Sequence, residues 1–207
     1  TILKQVLIKR PSLKIILMSA TLDASIFSNY FDKCHILDLP GRAFPVTSYY
    51  LEDALEDTGH IVTLDDEYAL KDKNQIKWNR HHKNFDNEYS STTKESLYIV
   101  DETIINYRLI TNLLELICDP NNYYNYENDL NRRGAILIFL PGMNEIKKLM
   151  DDLSMHSMFS DKEAFKIFPL HSTIDTNDQT AVFKLTRPGC RKIVIATNIA
   201  ETSITIE

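Results

Sequence analysis

Glycine is scarce in this chain of 207 residues, which has five: Gly41, Gly59, Gly134, Gly142 and Gly189. No two stand at the spacing of G-x-x-x-x-G-K-[ST], so the sequence holds no phosphate-cradling P-loop. No apolar strand leads into a Gly-rich fingerprint either, which argues against the dinucleotide site of a reductase. The three cysteines, Cys34, Cys118 and Cys190, are far apart and odd in number. They signal neither a zinc site nor a disulfide framework, and a reduced intracellular compartment, cytoplasmic or nuclear, is expected. His81-His82 lacks further ligands at metal spacing and reads as solvated. Every apolar run falls short of the roughly 18 residues of a membrane span, and no signal or transit peptide is evident. The expectation is a soluble chain with no membrane partner.

What is present is an ordinary globular composition, 43% hydrophobic and 25% charged, enough for one core or two smaller ones. The net charge of −6 is unevenly placed: residues 51–102 carry thirteen acidic and six basic residues, a net of −7, which leaves +1 for everything else. Overall acidity therefore excludes nothing about nucleic acid. The chain opens without Met inside a predicted helix, Ile2 to Lys9, and stops in mid-strand at Ile206-Glu207, which predicts a piece of a longer protein.

Leu13 to Met18 is a short apolar run, as a parallel strand covered on both faces requires. It ends in Ser19-Ala20-Thr21, and a helical turn (24–31), a second strand (35–39) and the break Pro40-Gly41-Arg42 follow. A domain boundary is placed there, between 43 and 44. Residues 45–51 alternate like a strand. Residues 52–102 show little periodicity and read as an acidic insertion, partly disordered or surface-packed. Residues 103–118 are predicted to form an amphipathic helix, with Ile105, Leu109, Leu113 and Leu116 at helical spacing. Asn121 to Arg133 reads as a polar, tyrosine-dotted loop.

From Gly134 the pattern is regular: strand 135–140, helix 144–153, strand 165–170, helix 176–185, strand 192–196. Alternation of this kind predicts an α/β fold with a parallel sheet and right-handed crossovers. Pro141-Gly142, His171-Ser172 and Thr197-Asn198 then converge on one sheet edge, with helix N-termini aimed at it. Free N–H groups and partial positive charge suit such an edge to anions, and a nucleic-acid backbone is a row of them. Any one loop reads equally well as a polar cap, Thr173 or Asp175 capping a helix near Thr176; three aligned loops weaken that reading.

LMSATLD (17–23), PGRAFPV (40–46), AILIFLPGMNEI (135–146), PLHSTIDTNDQTAVF (169–183) and IVIATNIAETSITI (193–206) resemble, in order, spacing and wording, the DEAH/RHA-type (DExH-box) RNA helicases of superfamily 2. The blocks cover most of the chain outside 52–102 and the tyrosine-rich loop; a lone Ser-Ala-Thr is weak, whereas ATNIAETS is highly specific. The resemblance implies a RecA-like parallel sheet with helices on both faces. Residues 1–43 would be the end of a first RecA-like domain with its linker, and 44–207 most of a second. FLPG is closer to the broader RNA-helicase members than to the splicing factors.

By the same resemblance, Ser19, Ala20 and Thr21 match motif III, which couples hydrolysis to strand movement. Gly142 matches motif IV, where backbone donors reach RNA phosphates. His171 and Ser172 stand at a strand end near the RNA backbone, and Thr197 and Asn198 match the RNA-facing part of motif V. Gln179 and Phe183 match the Gln and Phe of the following helix, whose Phe stacks on adenine. Glu201, Thr202, Ser203 and Thr205 match the part of motif V lining the nucleotide cleft, and Glu207 stands where the family often has Asp. From periodicity alone Phe183, in line with Ala181, Val182 and Leu185, reads as core, and His171 reads as a satisfied strand-end histidine.

The resemblance implies ATP with Mg²⁺ as cofactor of the parent protein and RNA, bound through its backbone with little sequence preference, as partner. Without a P-loop or the Mg²⁺-binding acids, the piece alone is expected neither to hydrolyse ATP nor to bind it tightly. Leu97 to Glu102 imitates the missing acids, an apolar run ending in Asp-Glu. The family's acidic motif precedes Ser-Ala-Thr, and Asp101 fits as a cap for the helix near Thr103, so the stretch reads as a decoy. The rival reading from another class is a catalytically inactive RecA-like scaffold that binds RNA or protein.

Overall fold

The computed structural model describes residues 2–18, 24–38, 46–85, 88–119, 134–174 and 182–200. The chain packs as two units, Thr1–Thr47 and Ser48–Glu207.

The first unit holds helices α1 (Ile2–Lys9) and α2 (Ala24–Tyr30), neither of which has a buried residue. Lys4 Nζ joins them, donating to Tyr30 O at 2.8 Å and pairing with Asp32 at 2.9 Å. The strands expected at 13–18 and 35–39 are not formed among the described residues, and Ile16, Met18 and Leu37 are exposed. An isolated strand has no internal hydrogen bonds. It forms only against a ladder partner, and no described segment of this unit supplies one.

The second unit opens with the largest departure from expectation. Residues 46–50 form no strand, and Leu51 starts a helix, α3 (Leu51–Thr58). Leu51, Ala54 and Leu55 share one face at i, i+3 and i+4, and Asp53 accepts from Tyr50 N at 2.7 Å at the N-terminus. Gly59 closes the helix at φ 61°, donating its N–H to Glu56 O, a left-handed turn that glycine adopts without penalty. Two more helices follow, α4 (Lys73–His82) and α5 (Ser91–Ile99). Residues 51–85 and 88–102, expected to be partly disordered or surface-packed, form a helical layer with its own core of Leu55, Val62, Ala69, Ile76, Leu97 and Ile99.

Four carboxylates of that segment, Asp53, Glu56, Asp72 and Asp101, accept from backbone N–H groups, and Asp66, Glu95 and Glu102 pair with Arg108, Arg80 and Lys83. Asp72 accepts from Asn74 N at 2.8 Å, and Glu56 accepts from Ser90 N at 2.9 Å, joining α3 to the start of α5. Hydrogen bonds from Thr93 and Ser90 hold the Glu56 carboxyl below its ordinary range. Of the stretch that imitates an acidic strand motif, Leu97 to Ile99 ends α5, Val100 forms an isolated antiparallel bridge with Ala69, and Asp101-Glu102 lies in the turn beyond. Asp101 accepts from Thr103 N at 3.0 Å and closes a turn; the next helix, α6 (Tyr107–Cys118), is capped by Asn106, which accepts from Leu109 N at 2.9 Å.

His60 is buried between these elements. Its Nε2 accepts from Asn106 Nδ2 at 3.2 Å, because Asn106 Oδ1 is already committed to the helix cap, and its Nδ1 faces Asn112 at 3.1 Å. Burial first, then repulsion from Arg108, lowers its pKa below the ordinary 6.5, opposed by Asp66. The unfolded chain therefore takes up this proton more readily than the folded one. Stability contributed by neutral His60 is complete above pH 6.5 and is lost as pH falls from there through the depressed folded value. Urea unfolding at pH 7.5 and at about pH 5.5 should show a lower midpoint in acid, and His60→Gln should shrink the difference.

Strands β1 (Ile136–Phe139), β2 (Phe165–Leu170) and β3 (Arg191–Ala196) pair in parallel in the order β1-β3-β2, with β3 central. This is the expected α/β architecture. Ile193 and Ile195 face α6 and α7 (Met143–Met155), whose Leu114, Ile146, Leu149 and Leu153 complete the main core. Val194 and Ala196 face the other way, packing with Leu170, Val182 and Ala200. Helix α6 serves both layers, Leu109 in the helical core and Leu114 in the sheet core, which explains its broad apolar surface. Arg191 Nη1 donates to Ile117 O at 2.8 Å, putting a cation on the carbonyl end of α6. Of the helix expected at 176–185, the described part, 182–185, is a turn and coil.

Candidate nucleic-acid edge and nucleotide-facing segment

The register places the candidate loops. Phe139 and Leu170 both lie opposite Ala196, so the three strands end in one row. Two backbone bonds extend the row by a residue: Leu140 N donates to Ala196 O at 2.8 Å, and Thr197 N to Leu170 O at 3.2 Å. With strands about 4.8 Å apart, the exits span roughly 10 Å. Gly142, His171, Ser172, Thr197 and Asn198, chosen from sequence, follow these ends directly.

Gly142 is the N-cap of α7, in extended conformation, with its carbonyl accepting from Ile146 N at 3.1 Å. No side chain caps the helix, which leaves first-turn N–H groups aimed outward. Glu145 folds back over this mouth: a Cβ built on Gly142 would stand 2.8 Å from its Oε2. The positive end of α7 is thus faced by one carboxylate, and glycine leaves room for it.

His171 Nδ1 accepts from Thr173 N at 3.2 Å and lies 2.9 Å from Thr173 Oγ1, while Ile174 N donates to His171 O at 3.1 Å. The ring closes its own turn, as the satisfied-histidine reading requires. An accepting Nδ1 puts the neutral ring's proton on Nε2. Ser172 is exposed beside it. Thr197 is buried, and its carbonyl accepts from Ala200 N at 3.2 Å to open a 3-10 turn, Asn198–Ala200. Its hydroxyl has no hydrogen-bond partner among the described residues, and Asn198 is exposed.

Phe183 is 37% exposed, whereas its neighbour Val182 is fully buried. The aromatic ring is therefore not core, against the reading from periodicity alone. Lys192 anchors the segment from below: buried within β3, it donates from Nζ to Val182 O at 2.9 Å. No motif marks Lys192, yet a lysine inside the apolar run 192–196 is itself a signal, since a buried ammonium needs a fixed acceptor. Ser19, Ala20, Thr21, Gln179, Glu201, Thr202, Ser203, Thr205 and Glu207 lie outside the described residues. Among those described, no three His, Cys, Asp or Glu side chains gather as metal ligands, and no helix is long and apolar enough to cross a membrane. A cleft of about 460 Å³ lined by Cys118, Phe165, Arg187 and Arg191 lies at the opposite, N-terminal end of the strands.

The helicase conserved C-terminal domain family matches residues 105–207, all three strands included. Human ATP-dependent RNA helicase DHX29 is 40% identical over 99% of this chain. The chain belongs to the DExH-box RNA helicases. Mouse ATP-dependent DNA/RNA helicase DHX36 is 41% identical over the whole chain, and mouse putative ATP-dependent RNA helicase DHX57 36%. These alignments take in the helical layer as well as the sheet. The crystal structure of the E. coli DExH-box NTPase HrpB aligns with 36% of this chain and 9% of its own at 39% identity and a TM-score of 0.30. The chain spans 16% of the length of DHX29 and 21% of DHX36.

Proposed function

We propose that this chain is the central part of an ATP-dependent RNA helicase, running from the end of a first RecA-like domain (1–43) into a second (44–207). The observation that carries the reading is the common row of strand ends at Ala196, which sets Gly142, His171-Ser172 and Thr197-Asn198 side by side. In the whole protein, RNA phosphates would lie along this row. The donors would be the first-turn N–H groups of α7, the Ser172 and Thr197 hydroxyls and the Asn198 amide. Contacts of this kind hold the backbone and carry little sequence information. Glu145 would have to rotate away from Gly142 for a phosphate to take its place.

Phe183, exposed and held from its neighbour's carbonyl by Lys192, fits the flat face of a nucleobase. Gln179, Glu201, Thr202, Ser203, Thr205 and Glu207 would complete this chain's side of the nucleotide cleft. ATP with Mg²⁺ would supply the hydrolysis that drives opening and closing of that cleft. The triphosphate and metal would be held by residues outside this sequence, which has no P-loop. Ser19, Ala20 and Thr21 would couple hydrolysis to strand movement.

In the full-length protein, Thr197→Ala should weaken single-stranded RNA binding about three- to tenfold and flatten the dependence of log affinity on log salt. Unchanged affinity across a salt titration would remove Thr197 from the contact row.

A further inference from the structure

The helical layer carries a surface that the strand-end reading does not use. Helix α4 is docked by one side: Ile76 is buried in the layer's core, and Asn79 Nδ2 donates to Tyr98 O at 3.0 Å. The opposite side presents Asn74, Trp78 and His82 at i, i+4 and i+8, with His81 beside them. Trp78, the chain's only tryptophan, is 55% exposed.

An exposed tryptophan alone is unremarkable, but this one is built into a stack. The His82 ring lies on the indole at 4.4 Å between centroids and 11° between planes. It is fixed there by its Nδ1, which donates to Trp78 O at 2.9 Å. One indole face is covered and held by the imidazole; more than half of the side chain remains open to solvent.

Charge around the stack has the opposite sign to its surroundings. The segment 51–102 has a net charge of −7, yet the ten residues of α4 include Lys73, Lys77 and Arg80 and no carboxylate. Arg80 is paired with Glu95. Lys73 and Lys77, one turn apart, pair with no carboxylate among the described residues.

We propose that Trp78, backed by His82 and with Lys73 and Lys77 on the neighbouring side of the same helix, is a second contact for single-stranded RNA, stacking one unpaired base on the open indole face while the lysines meet adjacent phosphates. An aromatic face beside free cations is how single strands are held without reading sequence, since every base has a π-face. The site is separate from the row of strand ends and stands or falls independently of it.

The sole tryptophan is its own reporter. Titrating the 207-residue chain with a 12-nucleotide oligouridylate should quench its fluorescence saturably, with affinity that falls as salt rises. Trp78→Ala, read by anisotropy of labelled RNA, should weaken binding about tenfold, and Trp78→Phe should restore most of it. Lys73→Gln with Lys77→Gln should lower the salt slope by about 1.4. Ser172→Glu, which acts on the strand-end row, should lower the affinity but leave the quench at saturating RNA unchanged, so failure there and failure here are distinguishable. If anisotropy shows RNA bound while the emission is unchanged, the stack serves another occupant, such as a protein partner, and the proposal is wrong.

Discussion

Leu149→Ala is expected to destabilise the second unit by about 2–5 kcal/mol, a large share of the roughly 5–15 kcal/mol that holds a typical domain. Leu149 is fully buried on α7, in one cluster with Ile146 and Leu153 of the same helix, Leu114 of α6, and Ile193 and Ile195 of the central strand. Truncation removes apolar contact on several sides at once and leaves a cavity that a helix anchored at Gly142 and a sheet paired on both sides of β3 cannot readily close. Thermal unfolding should begin about 5–15 °C lower. Phe139→Ala supplies the control. Phe139 lies on the other face of edge strand β1 and is exposed, so its loss should cost less than about 1 kcal/mol. Equal effects of the two changes would contradict the assignment of the core to the α7 side.

Ser172→Glu in the full-length protein is expected to reduce affinity for single-stranded RNA about tenfold or more at low salt, equivalent to ~1.4 kcal/mol. The side chain is exposed, so the fold should not register the change. A carboxylate there would stand in the row with Gly142 and Thr197, close to the proposed phosphate path. Screening should narrow the deficit as salt rises, because it is a repulsion between solvated charges. Ser172→Ala, which removes the hydroxyl without adding charge, should have a smaller effect that varies less with salt. Full affinity in the Glu variant would move the RNA path away from this edge.

The sheet was legible because parallel strands and their crossover helices alternate on a short repeat, and strand 165–170 matched to the residue. The site loops were legible for the same reason: parallel strands that return through crossovers must end at one edge. The helical layer was not. Its periodicity is broken by short helices of eight to ten residues, and four of the carboxylates that suggest solvation, Asp53, Glu56, Asp72 and Asp101, bind backbone N–H groups, a role visible only once those groups are placed. Residues 13–18 and 35–38 misled in the other direction. An apolar run states that a segment would be buried, whereas a strand exists only where a partner lies alongside.

For Phe183 and Lys192 the division is sharp. Periodicity put Phe183 in the core and said nothing of Lys192; the turn at 182–184 exposes the ring, and the buried ammonium under Val182 O holds that turn to the sheet. The sequence by itself determined the family, the parallel direction of the strands and the residues that follow their ends, because motif wording and alternation are local along the chain. Only the tertiary structure decided that the acidic segment is a folded layer and that α6 is shared by two cores. It alone set a tryptophan and a histidine one helical turn apart face to face. Those outcomes depend on which surfaces meet, and burial, capping and stacking are properties of pairs that no single position encodes.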